Sequence, residues 1–133
     1  MTITDRRLVL DSFQGLEPAV AGRRFYERLF ELDPSLREMF GSDVDVQADK
    51  FAQMLAFGIR GIGEDKQVNA MFRDMGKRHA GYGVEQSHYS TVRSALMSML
   101  EEELGEDFTQ PVREAWEAAF GEISRVMTTV ETP

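Results

Sequence analysis

Apolar residues recur at helical spacing along most of this 133-residue chain, and this periodicity limits its possible folds more than any other feature. One stripe repeats at i, i+3, i+4, i+7 and i+11, as one face of an α-helix does; it consists of Phe51, Met54, Leu55, Gly58 and Ile62. Similar stripes cover residues 89–104 and 112–130, and shorter ones cover 25–30 and 9–16. No β-like alternation runs long enough to compete. The pattern therefore predicts an all-α domain of about six to eight helices.

Helix-breaking residues fall between these stripes, where helices are expected to end; they are Gly15, Asp33-Pro34, the glycines within 61–63 and 81–83, and Gly105. Asp33 before Pro34 predicts a helix start, because the carboxylate can cap and proline has no N–H to satisfy. Thr109 predicts the same for the last helix, with Pro111 in its first turn. No internal repeat or linker interrupts the pattern. We therefore expect residues 1–133 to form a single domain.

Composition excludes several classes of function. The chain has no cysteine, which rules out disulfides, thiolate metal ligands and cysteine nucleophiles. Its net charge of −8 argues against nucleic acid or an anionic membrane as a partner. No stretch approaches the roughly 20 apolar residues of a membrane span, and the first residues lack an apolar signal core. A cytoplasmic protein is the expectation.

The chain has only two histidines, His79 and His88. A lone histidine on a helix is more often a structural or surface residue than a metal ligand, so local context alone does not decide the role of His79. A zinc or non-haem iron site would need at least three protein ligands, and no H-E-x-x-H spacing is present. Haem needs only one axial histidine, because its porphyrin supplies four nitrogens. Among metal sites, this composition favours haem.

Three segments carry a resemblance to a known family. The run Phe-Tyr-Glu-Arg-Leu-Phe at 25–30, then Asp33-Pro34 and Leu-Arg-Glu-Met-Phe at 36–40, resembles the second and third helices of bacterial globins. Residues 75–84 with His88-Tyr89 are similar to the proximal-histidine region, and residues 108–121 to the start of the last helix. The likeness is strongest to single-domain haemoglobins and the globin domain of flavohaemoglobins. It implies a globin fold with helices packed around a haem b pocket.

The resemblance also implies a role for individual residues. His79 matches the iron ligand, Phe40 the phenylalanine that wedges against the porphyrin, and Tyr26 the distal tyrosine. Gln47 matches the distal residue of the fifth helix, and Phe51 stands where the family has leucine, which should narrow the distal pocket. The whole set expected to contact the cofactor is Tyr26, Phe40, Gln47, Lys50, Phe51, Met54, Arg78, His79, Tyr82, Val84 and Tyr89.

Two pairs of residues carry the chemistry that the resemblance implies. Tyr26 and Gln47 are hydrogen-bond donors that would hold oxygen tightly. Tyr89 and Glu131 match groups that hydrogen-bond the axial histidine and push electron density onto iron. Lys77, Arg78 and Tyr82 are candidates for the haem propionates, and His88 is expected on the surface.

Three functions stay open at this point. The leading one is reversible binding of oxygen for storage, scavenging or transport, with carbon monoxide and nitric oxide as further ligands. The second is a nitric oxide dioxygenase that uses Tyr26, Gln47, Tyr89 and Glu131 and depends on a separate reductase. The third is a haem-based gas sensor that signals through a helix-face dimer. The oligomeric state is expected to be a monomer or a homodimer.

Overall fold

The computed structural model describes residues 1–39, 44–81 and 86–128, and six α-helices account for most of them. Their bounds are α1 Ile3–Phe13, α2 Pro18–Leu32, α3 Val44–Gly61, α4 Lys66–Gly81, α5 Gln86–Leu104 and α6 Gln110–Thr128, with short 3₁₀ helices at Pro34–Met39 and Gly105–Asp107. No strand occurs within these described ranges. The all-α prediction is confirmed. No described helix combines the length and the apolar character that crossing a bilayer requires.

Local sequence explains where several helices begin. The Thr2 hydroxyl accepts from the Asp5 amide, and the Asp5 carboxylate accepts from the Thr2 amide, each at 3.0 Å. This reciprocal pair caps α1. The Thr109 hydroxyl accepts from the Val112 amide at 3.4 Å, which confirms the predicted cap of α6. Asp33 also acts as a cap, accepting from the Ser35 amide at 3.1 Å, but a 3₁₀ helix follows it where an α-helix was expected.

Two pairs of helices meet with backbone against backbone. A methyl group added at Gly22 on α2 would lie 2.5 Å from the Ala48 carbonyl oxygen on α3. One added at Gly76 on α4 would overlap the Met127 carbonyl oxygen on α6 and lie 2.6 Å from its carbon. Only glycine permits such close approach at these positions. These contacts set the spacing of the helix pairs that enclose the interior.

Polar side chains join α1 to the rest of the fold. The buried Trp116 on α6 donates from its indole N–H to the Ser12 hydroxyl at 2.8 Å, and its ring lies 6.5 Å from that of Phe13. Arg6 donates to the Ile59 carbonyl at 3.2 Å and also to the Ile62 carbonyl, at the end of α3. Ile59 lies in the last turn of α3 and Ile62 follows its last residue, Gly61, so these bonds satisfy carbonyls that a helix end leaves without partners. The helix α1 therefore holds α6 and α3 in place from outside.

Candidate functional site

A large cavity opens between five helices, α2 to α6. The space between its side chains is about 1070 Å³ when the part open to solvent is counted, and apolar side chains make up most of its wall. Its aromatic and sulfur-containing members are Phe25, Tyr26, Phe51, Met54, Met75, Tyr89, Trp116, Phe120 and Met127. The wall also includes two histidines and one serine. A concave, apolar site with few polar groups suits a large apolar ligand that is oriented by specific contacts.

His79 is one of two histidines in this wall and is a candidate metal ligand. It lies half-buried near the end of α4, and its Nδ1 is 2.6 Å from the Met75 carbonyl oxygen one turn earlier. Because a carbonyl can only accept a hydrogen bond, Nδ1 must be the nitrogen that carries the proton. In the neutral ring, Nε2 then keeps its lone pair. The protein thus holds this imidazole in the tautomer that can ligate a metal through Nε2.

Tyr26 contributes a hydroxyl in an aromatic environment. Its side chain is 7% exposed, and its ring centroid lies 5.0 Å from that of Phe25 and 5.9 Å from those of Phe30 and Phe51. Burial raises the pKa of Tyr26 to about 12. The hydroxyl is therefore protonated at any physiological pH and remains a hydrogen-bond donor. Phe51 stacks on Phe25 with centroids 4.1 Å apart and planes within 2°, which shields this part of the wall from water.

The residues present fit haem better than a metal bound by protein alone. The described part of the chain contains no group of three or more histidine, cysteine, aspartate or glutamate side chains that could hold a metal ion. A porphyrin brings four nitrogens of its own and needs only one axial imidazole, and two histidines, His79 and His88, line this cavity. The apolar wall of the cavity suits such a group.

The comparison with known proteins decides the family. The sequence model of the globin family matches residues 23–127. This chain is a globin. It is 28% identical to a rice protein (Oryza sativa subsp. indica) named anaerobic nitrite reductase NSHB5, over 91% of this chain and 89% of that protein. It is 25% identical to flavohemoproteins of Rhizobium meliloti and Bacillus subtilis, over 83% and 81% of this chain. This chain spans 28% of the length of each of those two proteins.

Membership of the globin family confirms the predicted fold and the stated resemblance. It also implies a haem cofactor, in agreement with the chemistry of the cavity. In the structure, Tyr26 on α2 lies in the cavity wall, and α4, which carries His79, extends to Gly81.

The structure brings part of the expected cofactor-binding set together. Five of its members line the cavity: Tyr26, Phe51, Met54, His79 and Tyr89. Tyr89 is half-buried on α5, and burial raises the pKa of its hydroxyl, which therefore also stays protonated.

Three other members of the set lie outside the described wall. Gln47 is half-buried on the first turn of α3, one turn before Phe51, whereas Lys50 and Arg78 are exposed. Arg78 belongs to a basic helix: α4 carries Lys66, Arg73, Lys77 and Arg78 but only one acidic residue, Asp74.

Four expected residues lie outside the residues that the structure describes: Phe40, Tyr82, Val84 and Glu131. Their roles stay predictions from the resemblance.

His88 requires a correction. It was expected on the surface, but it is half-buried and lines the same cavity as His79. A helical stripe could have revealed it, because Val92 and Leu96 follow at i+4 and i+8 and line the cavity too. Ser124 on α6 was also missed; its hydroxyl is buried and has no hydrogen-bond partner among the described residues.

Proposed function

We propose that this globin binds haem b through Nε2 of His79 and holds dioxygen reversibly within the cavity. The observation that carries the proposal is the hydrogen bond from His79 Nδ1 to the Met75 carbonyl at 2.6 Å, in a large apolar cavity. This bond assigns a proton to Nδ1, so that in the neutral ring the lone pair that can bind a metal is on Nε2. The residues from α1 to the described end of α6 would act as one domain, since α1 packs on α6 through Ser12 and Trp116.

Bound haem would supply an iron atom able to bind a diatomic gas. The role of the polypeptide would be to orient and retain that gas. Tyr26 offers an O–H donor that stays protonated, and a dry surrounding strengthens its hydrogen bond to a polarised oxygen atom. Phe25 and Phe51 keep this region apolar. Gln47 is proposed as a second donor, since it is half-buried one turn before Phe51.

The iron-ligand role is tested with a pair of matched histidine variants. His79→Gly and His88→Gly remove an imidazole from the same cavity wall, but only the first removes the proposed ligand. Optical spectra of haem-reconstituted protein should lose the histidine-ligated bands in His79→Gly, and added imidazole should restore them. His88→Gly should keep those bands. Unchanged spectra in His79→Gly would eliminate the proposal.

Retention of oxygen is tested with tyrosine variants. One hydrogen bond to a polarised ligand contributes about 1–3 kcal/mol, which corresponds to a roughly 5- to 150-fold change in the off-rate. Tyr26→Phe should therefore release oxygen at least about fivefold faster, while the release of carbon monoxide, which is less polar, should change less. Carbon monoxide release from the same variant serves as the control, because this ligand depends less on a hydrogen-bond donor. Equal oxygen off-rates in wild type and Tyr26→Phe would remove Tyr26 from this role.

A redox enzyme is the second candidate, and the name of the rice relative favours it. Nitrite reduction to nitric oxide consumes one electron and two protons and releases water, so it requires a separate electron donor. The same requirement applies to oxidation of nitric oxide to nitrate, which also consumes dioxygen. Two assays with a flavin reductant test for an enzyme. One measures nitric oxide formed from nitrite in the absence of oxygen, and the other measures nitrate formed from nitric oxide in its presence. Multiple turnovers in either assay would support an enzyme. Single turnovers only would leave gas binding as the function.

A further inference from the structure

The contact between α4 and α6 leaves no space at Gly76. A methyl group there would overlap the Met127 carbonyl oxygen and would lie 2.6 Å from the carbonyl carbon and 2.7 Å from the Met127 Cα. All three atoms belong to the backbone of α6, so no side-chain rotation can relieve the overlap. Gly76 is buried, and it lies one turn before His79 on the same helix.

The peptide unit between Met75 and Gly76 connects this contact to the histidine. A peptide unit is planar and rigid, and its plane contains both the carbonyl of the first residue and the Cα of the second. Here the carbonyl is the Met75 group that accepts from His79 Nδ1 at 2.6 Å, and the Cα is that of Gly76. Any displacement of Gly76 away from Met127 therefore moves or tilts the acceptor that orients the imidazole.

We propose that Gly76 is a positioning residue for the iron ligand, because its backbone contact with Met127 fixes the Met75 carbonyl that holds the His79 ring. The proposal rests on the proposed function, in which His79 ligates haem iron. A hydrogen bond at Nδ1 sets both the orientation and the basicity of a ligating imidazole. The α4–α6 contact thus acts on the iron through His79, in addition to its contribution to packing.

Another glycine provides a matched control. Gly22 also faces a backbone carbonyl, that of Ala48 on α3, so Gly22→Ala introduces the same methyl group against the same kind of obstacle. That contact joins α2 to α3 and contains no part of the peptide that orients His79. Both variants should lower the denaturation midpoint, but only one should change the bond between iron and histidine.

The main experiment measures the iron–histidine stretching band of the ferrous, ligand-free holoprotein by resonance Raman spectroscopy. Gly76→Ala should shift or broaden this band. It should also speed haem loss on the order of 10- to 100-fold, which is the usual loss of metal affinity when the hydrogen-bond partner of a ligating side chain is disturbed. Gly22→Ala should leave the band at its wild-type frequency. A wild-type band in Gly76→Ala would overturn the proposal. Absence of the band in wild type would instead refute the function on which the proposal rests.

A second comparison separates positioning from packing. In His79→Gly with free imidazole supplied, the ligand is no longer attached to α4 or held by the Met75 carbonyl. Adding Gly76→Ala in this background should then leave the iron–imidazole band unchanged and haem loss within about twofold. An equal effect of Gly76→Ala on haem loss in both backgrounds would show a role in packing alone and refute positioning.

A milder pair covers the case in which Gly76→Ala yields no folded protein. Met127→Gly loosens the backbone of α6 at the contact without adding an atom, and Met127→Ala removes most of the same side chain but keeps the helix stiff. The iron–histidine band should broaden in Met127→Gly relative to Met127→Ala. Identical bands in the two variants would count against the proposal.

Discussion

Because the Tyr26 hydroxyl is buried, we expect the free energy of unfolding of this globin to fall as the pH rises above 10. The side chain is 7% exposed, and burial raises its pKa from 10.0 to about 12. The unfolded chain therefore loses this proton near pH 10, whereas the folded chain keeps it until about pH 12. Between these values the unfolded state binds fewer protons, so the free energy of unfolding falls as pH rises. The contribution is fully present below pH 10.

The size of this effect follows from the shift in pKa. Two pKa units at 1.36 kcal/mol each correspond to about 3 kcal/mol, lost progressively as pH rises from 10 to 12. A domain of this size is stable by about 5–15 kcal/mol in total, so the loss is large enough to measure. Urea denaturation of the haem-free chain at pH 8 to 11.5 gives the free energy of unfolding directly. Tyr26→Phe lacks the titrating hydroxyl and should show a shallower decline.

The other titrating groups provide the control. Lysines and the remaining tyrosines ionise equally in both proteins, so their effect cancels in the difference between wild type and Tyr26→Phe. Tyr89→Phe should decline nearly as steeply as wild type, because Tyr89 is less buried than Tyr26. Parallel curves for wild type and Tyr26→Phe across this range would show that the hydroxyl ionises as readily in the fold as outside it. The description of a dry site around Tyr26 would then be wrong.

Three further changes test the packing around the cavity. Arg6→Leu removes two hydrogen bonds to carbonyls at the end of α3 and should lower the free energy of unfolding by about 2 kcal/mol. Arg7 is an exposed neighbour, so Arg7→Leu should lower it little. Equal losses in the two variants would contradict the capping role of Arg6. Gly58→Ala should cost about 1–3 kcal/mol by overlapping the Phe72 ring, and Phe72→Leu should recover part of that loss in a double-mutant cycle; strictly additive losses would exclude the overlap. Ser12→Ala leaves a buried indole N–H on α6 without its acceptor and should cost about 1–3 kcal/mol in thermal denaturation; a neutral result would mean that water replaces the hydroxyl.

Local patterns in the sequence were sufficient to predict the helices and part of the site. The spacing of apolar residues predicted α3, α5 and α6, and the cap at Thr109 is local chemistry that survives folding. Tyr26 and His79 were expected at the site because their segments resemble those of bacterial globins, and both residues line the cavity. The 3₁₀ helix after Asp33 was not predicted, since the same cap and proline can start either type of helix.

Contacts between distant parts of the chain could not be predicted in this way. Gly76 meets Met127 through backbone atoms, which carry no signature in the order of side chains. His88 was expected on the surface, and its place in the cavity depends on how α5 packs against the other helices. Whether a single residue is buried depends on how the helices pack, whereas the periodicity of apolar residues predicts only which face of its helix the residue occupies.

The basic side chains of α4 should affect how fast small anions reach this molecule. That helix has a net charge of +3, which leaves −11 for the other residues. A small anion such as nitrite is therefore repelled over most of the surface and least repelled along the helix that carries His79. Dioxygen is uncharged and experiences no such guidance. Added salt shortens the reach of the field, to about 8 Å at 0.15 M, so it should alter the arrival rate of anions while leaving that of gases unchanged.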